Sequence, residues 1–144
     1  VFISHDLGVV ERIADRVALM YAGRVVESAR AQDFFASPLH PYGRALLAAR
    51  PRLDGPLEKR APIAGSPPHL DEIGAGCAFA PRCRYAQPDC LESIPEMQGV
   101  VGMHEFACFH PANTDRGREA LAATLDAGHT ATGLEIHAHA EGGT

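Results

Sequence analysis

No stretch of this sequence carries the ~18 consecutive apolar residues that a membrane-spanning helix needs. Positive charge is not in excess either: 13 Lys and Arg stand against 18 Asp and Glu, a formal net charge of -5. Phosphate backbones are gripped by clustered Lys and Arg, so the balance disfavours nucleic acid as a partner. There is no basic segment followed by an apolar stretch and a small-residue cleavage site, and so no visible signal peptide. No internal repeat is present. Cysteine is missing from residues 1–76 and again from 109–144.

What is there is globular in composition: 144 residues, 46% hydrophobic and 22% charged, enough for one ordinary domain or two small ones. The chain opens on Val1 rather than Met, which reads as a fragment. Val1-Phe2-Ile3 is a β-rich run, expected to be the end of a buried strand. Asp6 is placed to cap a helix in which Leu7, Val10, Ile13, Ala14 and Val17 recur at helical spacing. The runs RVALMY and RVVES flank a two-residue Ala-Gly link and predict a hairpin. AQDFFAS and HPYGRALLAAR predict two short helices, the first stopped by Pro38 and the second with Pro41 in its first turn. Strand, helix, hairpin and helices in that order read as the back half of an α/β domain whose neighbouring strands lie upstream.

Composition then shifts. Residues 51–75 repeat proline (Pro51, Pro56, Pro62, Pro67, Pro68) and read as an extended linker. Residues 76–111 hold all four cysteines, with few large apolar side chains, and read as a small irregular module that needs a staple. In residues 112–144, REALAATLDAG predicts one weak helix and HAHAEGGT a disordered end.

Two sites carry chemistry. Ser4, His5 and Asp6 fall at a strand end, where ligands sit in open α/β sheets. There His5 either caps the following helix or meets a phosphate oxygen or a water. The cysteines Cys77, Cys83, Cys90 and Cys108 follow C-x5-C-x6-C-x17-C. Paired C-x2-4-C zinc knuckles are absent, which weakens zinc without removing it. Two disulfides are conceivable, but without a secretory signal the thiols are expected reduced, in a cytosolic setting. Four thiolates in a proline-rich loop suit an iron–sulfur cluster, which tolerates irregular spacing. The bland alternative is four packing residues. Arg82 and Arg84 flank Cys83 and are candidates to offset an anionic centre. His104 and His110 bracket Cys108 as substitute ligands, and Glu135, His137, His139 and Glu141 give the tail a metal-binding composition.

VFISHDLGVVERIADRVALMYAGRVVE resembles the switch-histidine region of ATP-binding-cassette (ABC) ATPases. There a Ser/Thr-His-Asp strand end precedes a helix and a hairpin closing on Gly-x-Val/Ile-x-Glu, here Gly23 to Glu27. FFASPLHPYGRALLAARP, IAGSPPHL, GCAFAPRCRYAQPDC and HEFACFHP are similar to segments of the oligopeptide/dipeptide importer ATPases within that family. The resemblance runs over roughly residues 1–111 and leaves 112–144 without a functional reading.

The resemblance implies a fold class: α/β, the C-terminal part of a P-loop NTPase domain over 1–50. The linker 51–75, the cysteine module 76–111 and the tail 112–144 follow it. It implies that His5 contacts the γ-phosphate of ATP and positions the attacking water. It also implies that Cys77, Cys83, Cys90 and Cys108 bind a [4Fe–4S] cluster, with zinc as the alternative. The intact subunit would be a transport-coupled ATPase using ATP with Mg2+ to drive peptide uptake. It would sit on the cytoplasmic face of the cell membrane, against permease subunits and a second ABC ATPase. No G-x-x-x-x-G-K-[ST] phosphate loop occurs here, nor a signature motif or Walker B carboxylate, so these residues alone are not expected to hydrolyse ATP. The rival reading is a free-standing cysteine–metal module without nucleotide chemistry.

Overall fold

The computed structural model describes residues 1–50, 63–69, 73–100 and 103–136. Asp6 caps the first helix, α1 (Leu7–Ile13), its Oδ1 accepting from the Gly8 and Val9 amides. The hairpin follows as β1 (Arg16–Tyr21) and β2 (Arg24–Arg30). Its link, Ala22-Gly23, has φ of 48° and 78°, the two positive values that a tight two-residue turn between right-twisted strands requires. Along β1, Val17, Leu19 and Tyr21 point inward and Arg16, Ala18 and Met20 outward, the period-two pattern of a half-buried strand.

Helices α2 (Ala31–Ala36) and α3 (Pro41–Ala48) pack beside the hairpin. Pro41 sits in the first turn of α3, where its missing amide proton is not needed. Val17, Leu19, Ala29, Ala31 and Phe34 form one core. After the linker come a single 3-10 turn (Ala80–Arg82), α4 (Asp89–Glu92), β3 (Gln98–Val100), β4 (His104–Phe106) and α5 (Asp115–Ala127).

The sheet is antiparallel throughout, in the order β1-β2-β4-β3. Val1–Ile3 do not form a strand, because a strand exists only through its ladder and none of the described segments pairs with them. Instead β2 is paired on both edges, with β1 on one side and with β4 of the cysteine module on the other. One sheet thus crosses the boundary drawn at residue 50.

One further expectation changes. The segment 112–136 is ordered rather than a loose tail. Thr114 caps α5, Gly128 at φ 74° ends it, and the chain turns back so that Thr130 and Ile136 are buried. Small residues make this close approach feasible: a Cβ on Gly117 would lie 2.1 Å from the Pro111 carbonyl oxygen. Threonine hydroxyls and backbone amides then hold it to the module, which apolar periodicity does not reveal. Residues 51–62 and 70–72 of the linker, and the tail residues His137 and His139 with Glu141, lie outside the described residues.

Candidate metal centre

The four cysteines arrive from separate short elements. Cys77 precedes the 3-10 turn, Cys83 ends it, Cys90 lies in α4 and Cys108 follows β4. Backbone contacts fix their approach. The Cys77 amide donates to the Cys90 carbonyl at 2.8 Å, and Gly76 permits it, since a Cβ there would stand 2.5 Å from that oxygen. The Cys83 amide donates to Ala80 at 3.1 Å, and the Gln98 side-chain amide holds the Cys108 carbonyl.

All four side chains line one cavity of about 10 Å³, with His40, Phe79, Tyr85 and His110 among the other walls. None is in a disulfide. Burial pushes every thiol up, Cys90 to about 12 and Cys83 and Cys108 well above the ordinary thiol value. The thiols also raise one another; Cys83 feels Cys108, then Cys77 and Cys90. Burial thus favours the neutral thiols, and their deprotonation would need a compensating cation. Four thiols around one cavity are the donor type that thiophilic metals take.

Spacing bears on which centre. Among the described residues, the one set of three or more ligand atoms within 4.8 Å of one another is Asp89, Cys90 and His110, so no three thiols are that close. A tetrahedral zinc, with bonds of about 2.3 Å, would hold its sulfurs roughly 3.8 Å apart.

The candidate substitute ligands are otherwise occupied. His104 Nε2 pairs with Glu27 at 2.7 Å, and His110 Nε2 with both Asp89 oxygens at 2.8 and 3.0 Å. Burial acts to raise the Asp89 carboxyl, but His110 and the Cys90 hydrogen bonds outweigh it and hold it below its ordinary value. Arg82 does not offset the cysteines. Its guanidinium donates to the Ala64, Gly65 and Ile63 carbonyls and to the Tyr21 hydroxyl, pinning the segment from Ile63 against the core.

Sequence reasoning gave no role to Glu27, which is central. It is fully buried and accepts from the Leu39 amide at 2.7 Å, the His40 amide at 2.8 Å and His104 at 2.7 Å. One carboxylate thus joins the hairpin, the start of α3 and β4. Its place at the end of a Gly-x-Val-x-Glu run was the available signal. Gly43 in α3 leaves it room, as a Cβ there would come within 3.1 Å of Oε2. His5 stands apart, exposed beside the α1 cap, where Ser4 Oγ accepts from the Asp6 amide.

Comparison with known proteins puts this region in context. The family described as the oligopeptide/dipeptide transporter C-terminal region matches residues 26–90. The chain is 47% identical over 107 residues to the oligopeptide transport ATP-binding protein AppD of Bacillus subtilis, covering 74% of this chain and 33% of that protein. It is 45% identical over 111 residues to the dipeptide transport ATP-binding protein DppF of Haemophilus influenzae, covering 76% and 34% respectively. For the oligopeptide transport ATP-binding protein OppD of Escherichia coli the identity is 44% over 111 residues, covering 77% and 33%. The chain spans about a third of the length of these relatives.

Proposed function

We propose that this chain, similar over residues 26–90 to the oligopeptide/dipeptide transporter C-terminal region and to oligopeptide and dipeptide transport ATP-binding proteins, serves the ATPase of a peptide importer. The observation that carries this is the identity to peptide-transport ATP-binding proteins of two kinds, oligopeptide and dipeptide, over about three quarters of the chain. The intact subunit would bind ATP with Mg2+ and couple its hydrolysis to peptide uptake, working with permease subunits and a second ABC ATPase on the cytoplasmic face of the membrane. No described helix is long and apolar enough to cross a membrane. His5, exposed at the start of α1, is the residue assigned to the γ-phosphate. In the intact subunit, His5→Ala should nearly abolish ATP turnover while leaving ATP affinity largely intact, because the imidazole acts on charge that develops in the transition state. Wild-type turnover in that variant would remove His5 from the mechanism.

The cysteine module would hold a [4Fe–4S] cluster through Cys77, Cys83, Cys90 and Cys108. Such a cluster supplies a covalent cross-link between four chain segments and a one-electron redox centre. The chain's own contribution is to converge and desolvate the thiols, with the Gly76 approach and the Gln98 contact setting two of the four positions. Zinc held by the same four cysteines is the second reading. Iron, sulfide and zinc analysis of the anaerobically purified intact subunit separates the two. Stoichiometric zinc without sulfide would replace the cluster, and no metal at all would reduce the cysteines to packing residues.

A further inference from the structure

Asp89, Cys90 and His110 bring three kinds of ligand atom together outside the four-cysteine pattern. Asp89 and Cys90 are neighbours in α4, and His110 lies two residues after Cys108. Their carboxylate oxygen, thiol sulfur and imidazole nitrogen all lie within 4.8 Å of one another. His110 Nε2 is 2.8 Å from one Asp89 oxygen and 3.0 Å from the other. The Asp89 side chain is also hydrogen-bonded to Cys90. Backbone contacts hold both sides of the set. The Cys90 amide donates to the Gln87 carbonyl at 3.0 Å, and the Cys90 carbonyl accepts the Cys77 amide at 2.8 Å. On the other side, the Gln98 side-chain amide holds the Cys108 carbonyl, and the Ala112 amide donates to the Leu39 carbonyl at 2.7 Å. The donors therefore converge before any ion arrives.

Their spacing suits one small ion. Bonds of about 2.0–2.3 Å to oxygen, nitrogen and sulfur in a tetrahedral site hold the donors roughly 3.3–3.8 Å apart. Asp89 and His110 must open by about half an ångström, and no other pair need close by more than about 1 Å. One thiol, one imidazole and one carboxylate make a zinc donor set, whereas Ca2+ and Mg2+ take oxygen ligands. Cys90 is buried, while the side chains of His110 and Asp89 are 13% and 41% exposed. The set thus opens to solvent on the Asp89 side, which gives the ion its approach.

We propose that Asp89, Cys90 and His110 form a site for a single zinc ion, which locks α4 to the segment after β4. Zinc displaces the proton between His110 Nε2 and Asp89, so that the neutral ring carries its proton on Nδ1. The Cys90 S–H bond breaks as the S–Zn bond forms, and that proton leaves to solvent. The proposal goes beyond the four-cysteine reading and does not rest on it. The two share only Cys90, so a four-thiol centre and this zinc are alternative occupants. A chain unable to build the first keeps the second.

The test uses the intact subunit carrying Cys83→Ser or Cys77→Ser, neither of which can assemble four thiolates. Each is also combined with Asp89→Asn and with His110→Gln. The probe is zinc alone, titrated in competition with a chelator, with limited proteolysis on every variant. The expected result is one zinc per chain on both single-cysteine variants. Replacing Asp89 or His110 should weaken it by at least the ~10-fold that loss of even an outer-shell partner costs. X-ray absorption at zinc on Cys83→Ser should show one sulfur, with nitrogen and oxygen completing the shell. More than one sulfur would assign the ion to the remaining cysteines and overturn the proposal. No zinc on either single-cysteine variant overturns it too, as does undiminished affinity after Asp89 or His110 is replaced. If proteolysis shows both cysteine variants unfolded, absorption on cluster-free, zinc-loaded wild type decides: one sulfur supports the site and more than one overturns it. Iron and sulfide analysis of the wild type tests the four-cysteine reading separately, so either can fail without the other.

Discussion

The hairpin region and the cysteine module are built by opposite means. Over residues 1–50 the core is Val17, Leu19, Ala29, Ala31 and Phe34, apolar side chains delivered by strands of six and seven residues and by helices with helical spacing. In the module the core is Phe79, Ala80, Cys83, Tyr85, Ala86, Cys90 and Ala112, with Tyr21 added from the hairpin. Its elements are a three-residue 3-10 turn, a four-residue helix and two three-residue strands. Elements that short cannot bury a face by periodicity. They are placed by individual hydrogen bonds, by glycine at close approaches and by aromatic contacts such as Tyr21–Phe79 at 5.2 Å and Tyr42–Phe79 at 5.2 Å. The contrast teaches that the module is not independent: it borrows a strand edge, two tyrosines and a buried carboxylate from the region before it.

That dependence can be broken at four points of decreasing strength. Glu27→Ala should have the largest effect, roughly 4 kcal/mol, because it strands the Leu39 and His40 amides at about 1–3 kcal/mol each and frees His104. Denaturant unfolding of the variant should show both regions loosening together; if only the module loosens, the joint is not Glu27.

His40 gives the next effect. Burial lowers its pKa from 6.5 to about 4. The folded state therefore binds fewer protons than the unfolded state between those values. The stability involved is fully present above pH 6.5 and is lost as pH falls toward 4, about 3 kcal/mol in all. The difference in stability between wild type and His40→Asn across this window measures it, and a flat difference would show that the imidazole is hydrated.

Gly76→Ala should cost about 2 kcal/mol by forcing the Cys90 and Leu91 carbonyls away from the chain before Cys77. Here the two regions should separate. Limited proteolysis should open the module and leave residues 1–50 resistant, with loss of any bound metal. The smallest effect is expected at Glu11→Ala, which removes the exposed 2.7 Å pair with Arg50, worth under about 0.5 kcal/mol. An unchanged melting temperature checks it, and a large drop would mean that α1 is anchored through this pair.

How much of this could be read in advance differs between the two regions for the same reason. The Asp6 cap, the Ala22-Gly23 turn and the α2 and α3 helices were legible, because each is set by a local spacing or a local φ. The clustering of Cys77, Cys83, Cys90 and Cys108 in sequence also pointed to one site. The pairing of β2 with β4, the diversion of Arg82 to the Ile63–Gly65 carbonyls and the packing of α5 were not legible. These contacts join residues tens of positions apart through single polar atoms, which leave no period in the sequence.

By itself, then, the sequence determined the local elements, the four-thiol donor set and the resemblance to peptide-transport ATPases, since composition, capping and motif spacing act over a few residues. Only the tertiary structure decided that Glu27 is the joint, that the buried His40 caps α3 beside the cysteine cavity, and that His104 and His110 are engaged by carboxylates. The physical reason is that a buried polar atom must find a partner wherever the fold brings one, and which partner that is depends on the whole arrangement of the chain.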